Sequence, residues 1–254
     1  MLFRSTEEDA FGIFHDTAAG GIDWLVWAEP DFEALELKTK RRRKKSDLDD
    51  EPLRLKRLMP ADALRIKGRH NASNALAAIA MASSIGLPMS PLLHGLREYE
   101  GEAHRVQSVS IIDGVEYIDD SKGTNVGATL AALNGLGDTG QRARIILIAG
   151  GEGKGQDFSP LADAVARHAK AVILIGRDAP LIKQALVNTQ VSLVDANTLE
   201  VAVQEAAKLA VSGDLILLSP ACASFDMFKD YAHRAQVFVD AINELATLNG
   251  QVSA

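Results

Sequence analysis

From residue 115 onward the chain repeats one alternation: a short apolar run, a polar turn, then a longer segment with apolar residues at helical spacing. The apolar runs fall at 115–119, 144–150, 171–176, 191–195 and 214–219. Stretches such as IILIAGG, AVILIG and LILLSPA show no period of two, as expected of strands buried on both faces of a parallel sheet. Helical spacing predicts helices near 126–135, 159–169, 179–188, 198–210 and 226–247. Strand–helix alternation at this interval predicts a doubly wound α/β domain.

The preceding residues read differently. Residues 23–28 (DWLVWA) and 53–58 (LRLKRL) have the composition and alternation of strands, the second of an exposed one. Between them lies KRRRKK at 40–45, followed by Asp47, Asp49, Asp50 and Glu51. A basic run followed at once by an acidic one is expected to form a solvated loop, over residues 38–51, rather than a polyanion or membrane-surface patch. Residues 71–85 (NASNALAAIAMASSI) carry a helical pattern that Gly86 and Pro88 stop. These elements offer little to bury, so residues 1–101 read as the tail of one domain and 102–254 as a second.

Composition narrows the class. Hydrophobic content of 47% and charged content of 24% are ordinary for a globular protein. A formal net charge of −7 argues against nucleic acid as the main partner. The single cysteine, Cys222, excludes an internal disulfide and suits a reducing compartment. No apolar run has the ~18 residues of a membrane span, and the first residues lack a signal-peptide core, so a cytoplasmic location is expected.

In an open parallel sheet, ligands bind beyond the carboxyl ends of the strands. Three such ends carry residues that packing does not require: Asp119-Asp120-Ser121-Lys122-Gly123-Thr124-Asn125, Gly150-Gly151-Glu152-Gly153-Lys154-Gly155 and Ser219-Pro220-Ala221-Cys222-Ala223-Ser224. Their lysines, hydroxyls and the N–H groups of following helix starts suit an anion; from pattern alone they describe an anion site, not a reaction. Each also has a plainer reading. GGEGKG is not a phosphate loop, since neither Ser nor Thr follows Lys154, and on its own it is a turn with a surface lysine. Asp119 and Asp120 could cap the next helix. Cys222 lacks an identifiable base and reads as a buried structural thiol. His70, His94, His104, His168 and His233 show no zinc-ligand spacing.

With these stretches together the chain resembles the Mur ligases. The resemblance runs from about Gly68 to Gly250 through Gly68-Arg69-His70-Asn71 with Asn74, His104-Arg105, the Asp119–Asn125 block, Gly150 to Lys154, Asp157-Phe158-Ser159 and Ser219 to Ser224. The Asp-Ser-Lys-x-Thr-Asn block is the most specific and points to the branch that adds D-glutamate. The resemblance implies a Rossmann-like C-terminal domain that receives the amino acid, preceded by the end of a central ATP-binding domain. It implies ATP and Mg2+ as the cofactors, UDP-N-acetylmuramoyl-L-alanine and D-glutamate as substrates, an acyl-phosphate intermediate and a monomeric complete enzyme.

Residue by residue, the resemblance places Asn71 and Asn74 at the adenine, and His104, Arg105 and Asp120 at the ribose and phosphates of ATP. It places Lys122 and Thr124 near the reacting phosphoryl group and the α-carboxylate of D-glutamate, Lys122 as the catalytic residue, with Lys154 pairing that carboxylate. Ser224, with backbone groups of Phe225 and Tyr231, takes the side-chain carboxylate. The family more often has alanine at the position of Gly123, and other residues at those of Phe225 and Tyr231. A G-x-[ND]-G-K-[ST] phosphate loop, the magnesium ligands and the UDP-binding domain are expected upstream of Met1, so this chain carries no metal ligands and is inactive alone. A stand-alone Rossmann-like binding module, and a related ligase adding another amino acid or a folate polyglutamate, are the competing readings.

Overall fold

The protein is described from a computed structural model, over residues 10–31, 53–66, 68–137, 144–248 and 250. The charged stretch at 38–51 lies outside the described residues. The chain divides into two units, residues 1–100 and 101–254.

In the first unit, β1 (Phe11–Asp16), β2 (Ile22–Pro30) and β3 (Leu53–Pro60) form an antiparallel sheet in that order. They are followed by α1 (Arg69–Ser84) and α2 (Met89–Glu98). Ala72, Ala75 and Leu76 of α1 pack with Leu25 and Met59 of the sheet and with Leu64. The expected strands and the helix at 71–85 are present. Strand β1 and helix α2 are additions that the sequence pattern did not announce.

The second unit holds a six-stranded sheet of order β4-β5-β9-β6-β7-β8. Its strands are β4 (Gln107–Ile112), β5 (Val115–Asp119), β6 (Ile145–Gly150), β7 (Ala169–Ile175), β8 (Ser192–Asp195) and β9 (Leu215–Leu218). Only β4 runs antiparallel, as an edge strand paired with β5; the others pair in parallel. Helices α3 (Val126–Gly137), α4 (Leu161–His168), α5 (Ala179–Leu186), α6 (Leu199–Leu209) and α7 (Tyr231–Leu248) complete the doubly wound arrangement.

The side on which each helix lies follows from handedness. The chain steps across the sheet in one direction from β5 to β6, β7 and β8, and right-handed crossovers put α3, α4 and α5 on one face. It then steps back to β9, which puts α6 on the other face. The two cores agree: Leu133, Leu161 and Ile182 pack with Leu147, Val172 and Leu217, while Val203, Phe238 and Ile242 pack with Ile146, Ile173 and Ile216. Every residue of β6 is buried, which explains why its sequence lacks a polar face.

Helix α7 starts at Tyr231, not near 226. The reason is a cap: Asp230 Oδ1 accepts the N–H of His233 at 2.7 Å, the geometry of an N-terminal capping residue. Residues 226–230 instead form turns, with the N–H groups of Met227 and Phe228 donating to the Ser224 carbonyl.

Candidate functional site

The reversal of direction puts β9 between β5 and β6, so the three motif-bearing strand ends are neighbours. Sequence separation hides this: Asp119 and Ser219 are a hundred residues apart, yet Asp120 N–H donates to the Leu218 carbonyl at 2.8 Å. A switch in strand order is where doubly wound sheets open a ligand crevice.

The loop after β5 is held by its own acids. Asp119, 1% exposed, accepts from the N–H (2.9 Å) and hydroxyl (2.6 Å) of Ser121. Its other oxygen lies 2.7 Å from His104 Nδ1. Asp120 accepts from the Ser219 hydroxyl at 2.6 Å and from Val106 N–H at 3.3 Å. Neither aspartate caps α3; Asn125 does, accepting the Ala128 N–H at 2.9 Å. Burial raises the Asp120 pKa from 3.8 to about 6, with the Ser219 and Val106 hydrogen bonds and Arg105 opposing that rise and Asp119 adding to it. At neutral pH its carboxyl is still mostly ionised. A methyl group at Gly123 would meet Asp120 Oδ2 at 2.5 Å, so alanine there requires this acid to shift.

The loop after β6 is pinned to its neighbours by close approach. A Cβ on Gly150 would sit 1.8 Å from the Ile175 carbonyl oxygen, and one on Gly151 2.3 Å from that of Ala223. Both have φ near 130°, reached readily only by glycine. Glu152 and Ala223 exchange both backbone hydrogen bonds at 2.9 Å. Asp178 accepts the Gly153 N–H at 2.6 Å, and Gln156 ties the Ala221 carbonyl (2.6 Å) to the first turn of α3 through Val126 N–H (3.0 Å). Lys154 is left exposed at the crest, its Nζ 5.6 Å from the Phe225 ring.

The third loop presents Ser224, 3% exposed, beside the exposed Phe225. Cys222 is fully buried and its thiol is pushed up to about 12 by burial, with Asp178 adding, so it is structural rather than nucleophilic. At the start of α7, Tyr231 lies 5.5 Å below Lys122 Nζ and edge-on to His104 at 6.0 Å.

The second unit therefore brings together His104, Asp120, Lys122, Thr124, Lys154, Ser224, Phe225 and Tyr231 around adjacent strand ends, with Arg105 exposed beside His104. Asn71 and Asn74 lie in the first unit on α1, with Asn74 Nδ2 3.4 Å from Asn71 Oδ1. Sequence reasoning passed over Gln156, Asp178 and Arg234. Arg234 is 0% exposed and donates to the Ser121 carbonyl at 2.8 Å and the Cys222 carbonyl at 3.1 Å. Burial lowers its pKa to about 10, while Cys222, Asp226, Asp119 and Asp120 act to hold its proton, so it is charged at neutral pH. The signal was present: Arg234 stands in line with Phe238 and Ile242 on the apolar stripe of α7, where a charge needs a buried partner. Among the described residues, no cluster of three or more His, Cys, Asp or Glu is placed to hold a metal ion.

Residues 104–222 match the Mur ligase glutamate ligase domain. The chain is 59% identical, over 95% of its length, to the UDP-N-acetylmuramoylalanine–D-glutamate ligase of Ralstonia nicotianae, covering 47% of that protein. It is also 59% identical over 95% of its length to the ligase of the same name from Cupriavidus pinatubonensis, again covering 47%. Among solved structures, MurF from Acinetobacter baumannii shares the fold, with a TM-score of 0.55 and 16% identity over 86% of this chain and 43% of its own. The chain thus spans about half the length of the relatives it matches. By these matches residues 104–222 are a Mur ligase glutamate ligase domain, and the chain is similar to Mur ligases over 95% of its length.

Proposed function

We propose that this chain is the C-terminal part of an ATP-dependent ligase that joins D-glutamate to UDP-N-acetylmuramoyl-L-alanine in peptidoglycan synthesis. The observation that carries the reading is a pair of lysines and a buried serine on three adjacent strand ends, Lys122, Lys154 and Ser224. A dicarboxylic amino acid needs two anion anchors at a fixed separation, and a rigid sheet edge supplies that.

In this reading the L-alanine carboxylate takes the γ-phosphoryl group of ATP, releasing ADP. The amine of D-glutamate attacks the acyl carbon, loses a proton and expels phosphate, leaving a peptide bond. Lys122 and Thr124 lie toward the phosphoryl group and the α-carboxylate, and Lys154 pairs that carboxylate. Ser224 and backbone N–H groups near Phe225 and Tyr231 hold the side-chain carboxylate. Asn71 and Asn74 are assigned to adenine, and His104, Arg105 and Asp120 to ribose and phosphates. Mg2+ would neutralise charge on the transferring phosphoryl group; its ligands are assigned outside the described residues. No G-x-x-x-x-G-K-[ST] phosphate loop occurs in the 254 residues, so turnover is assigned to a longer protein that supplies one.

The test is phosphate release from ATP with both substrates, on this chain and on a version extended upstream. Release that depends on D-glutamate, in the extended version alone, supports the reading. Turnover by this chain alone, or none in either, contradicts it.

A further inference from the structure

Arg234 is the largest fully buried side chain of the described residues, and the mechanism above does not use it. Its position is unusual for a charge. It rises from the first turn of α7, and its two terminal nitrogens reach two different loops. One bond ends on the carbonyl of Ser121, the residue before Lys122; the other ends on that of Cys222, two residues before Ser224. Tyr231, three residues earlier and hence on the same helix face, lies under the Lys122 ammonium. The first turn of α7 therefore touches two of the three loops that carry the anion anchors, those of Lys122 and of Ser224.

A planar guanidinium spaces its two donor nitrogens rigidly, whereas a lysine carries its three donors on one freely rotating nitrogen and sets no such spacing. Burying such a charge is costly without partners, and Nε of Arg234 has none among the described residues. A residue chosen for stability alone would be an apolar one continuing the stripe of Phe238 and Ile242. We propose that Arg234 is a positioning residue that fixes the distance between the Lys122–Thr124 anchor and the Ser224 anchor, and so sets which length of dicarboxylic amino acid the site accepts. This rests on the function proposed above.

The experiment uses the complete ligase, wild type, Arg234→Lys and Arg234→Gln, and three amino acids: D-glutamate, D-aspartate (one methylene shorter) and D-2-aminoadipate (one longer). The wild type should prefer D-glutamate by the ~10- to 200-fold that a methylene confers. Both variants should raise KM for D-glutamate by about tenfold, leave KM for ATP unchanged, and narrow the preference over the other two acids. An unchanged preference, even with a lower melting temperature or kcat, would reduce Arg234 to a structural role and overturn the proposal. If both variants fail to fold, the wild-type protein labelled at arginine nitrogen still decides. The account expects the Arg234 side-chain N–H signals to exchange slowly with and without D-glutamate, and rapid exchange in the saturated protein would overturn it. A wild type that releases no phosphate in response to D-glutamate would instead sink the underlying functional reading, and this inference with it.

Discussion

Strands β1 and β6 have the same length, six residues each, and opposite fates. In β1 only Asp16 is buried, whereas every residue of β6 is. The difference follows from what covers them. The first unit has an antiparallel sheet and one small cluster around Leu25, Met59 and Leu76. The second has helices on both faces and a separate core on each. Their polar contacts diverge in the same way. The first unit is tied mostly at its surface, by Arg65 to Glu98 and Glu100 and by His15 to Asp23, and its one buried acid among the described residues, Asp16, pairs with the half-exposed Arg57. In the second unit Asp119, Asp120 and Arg234 are buried and hydrogen-bonded at the strand ends. A sheet covered on both sides can hold costly buried charges at its strand ends, and those ends carry the proposed anchors.

The sharpest way to break this contrast is to remove an exposed lysine from each unit of the complete ligase. Lys122→Ala or Lys154→Ala should lower kcat/KM for D-glutamate by about 10²- to 10³-fold, with the melting temperature unmoved because both side chains are exposed. Lys56→Ala in the first unit, which removes a cation 5.6 Å from the Trp27 ring, should leave that ratio within about twofold. Comparable losses in both units would mean the site is not confined to the strand ends.

Core truncation comes next. Leu147→Ala, at a position 0% exposed in β6, should cost about 2–5 kcal/mol in denaturant unfolding. Leu93→Ala, at a half-buried position of α2, should cost about 1 kcal/mol. Equal costs would erase the difference in burial.

The third prediction concerns pH. Burial raises the Asp120 carboxyl to about 6 from 3.8, so between these values the folded state binds more proton than the unfolded one. Stability from this group is therefore present below pH ~4 and lost as pH rises through ~6, by at most about 2–3 kcal/mol. Asp120→Asn, which cannot ionise, should flatten that part of the stability profile of the chain. A profile that keeps its slope in the variant assigns it to another group. The smallest effect is expected at the surface: Arg65→Ala should change stability by less than about 1 kcal/mol, and added salt should shrink even that.

How much of this was legible depended on burial. Four of the five parallel strands could be read because residues buried on both faces leave nearly unbroken apolar runs, and the edge strand β8, which has no buried residue, from its place in the alternation; their ends moved by only one or two residues. Strand β4, QSVSII, could not, because an antiparallel edge strand with Ile111 65% exposed shows no clean pattern. Helix α2 contains Pro91 and Gly95, which blur helical spacing. For the site, motifs gave the residues on each loop but not their adjacency, since β9 joins β5 and β6 only in the folded sheet. Arg234 was passed over because a lone arginine in an amphipathic helix looks like its solvated face until its carbonyl partners are located.

The most direct test of the two-anchor site is Ser224→Ala in the complete ligase, assayed by phosphate release at varied D-glutamate and at varied ATP. If Ser224 holds the side-chain carboxylate as proposed, loss of its hydroxyl should raise KM for D-glutamate by about tenfold or more and leave KM for ATP unchanged. An unaltered KM for D-glutamate, or an equal rise in both, would contradict the placement of D-glutamate at these strand ends.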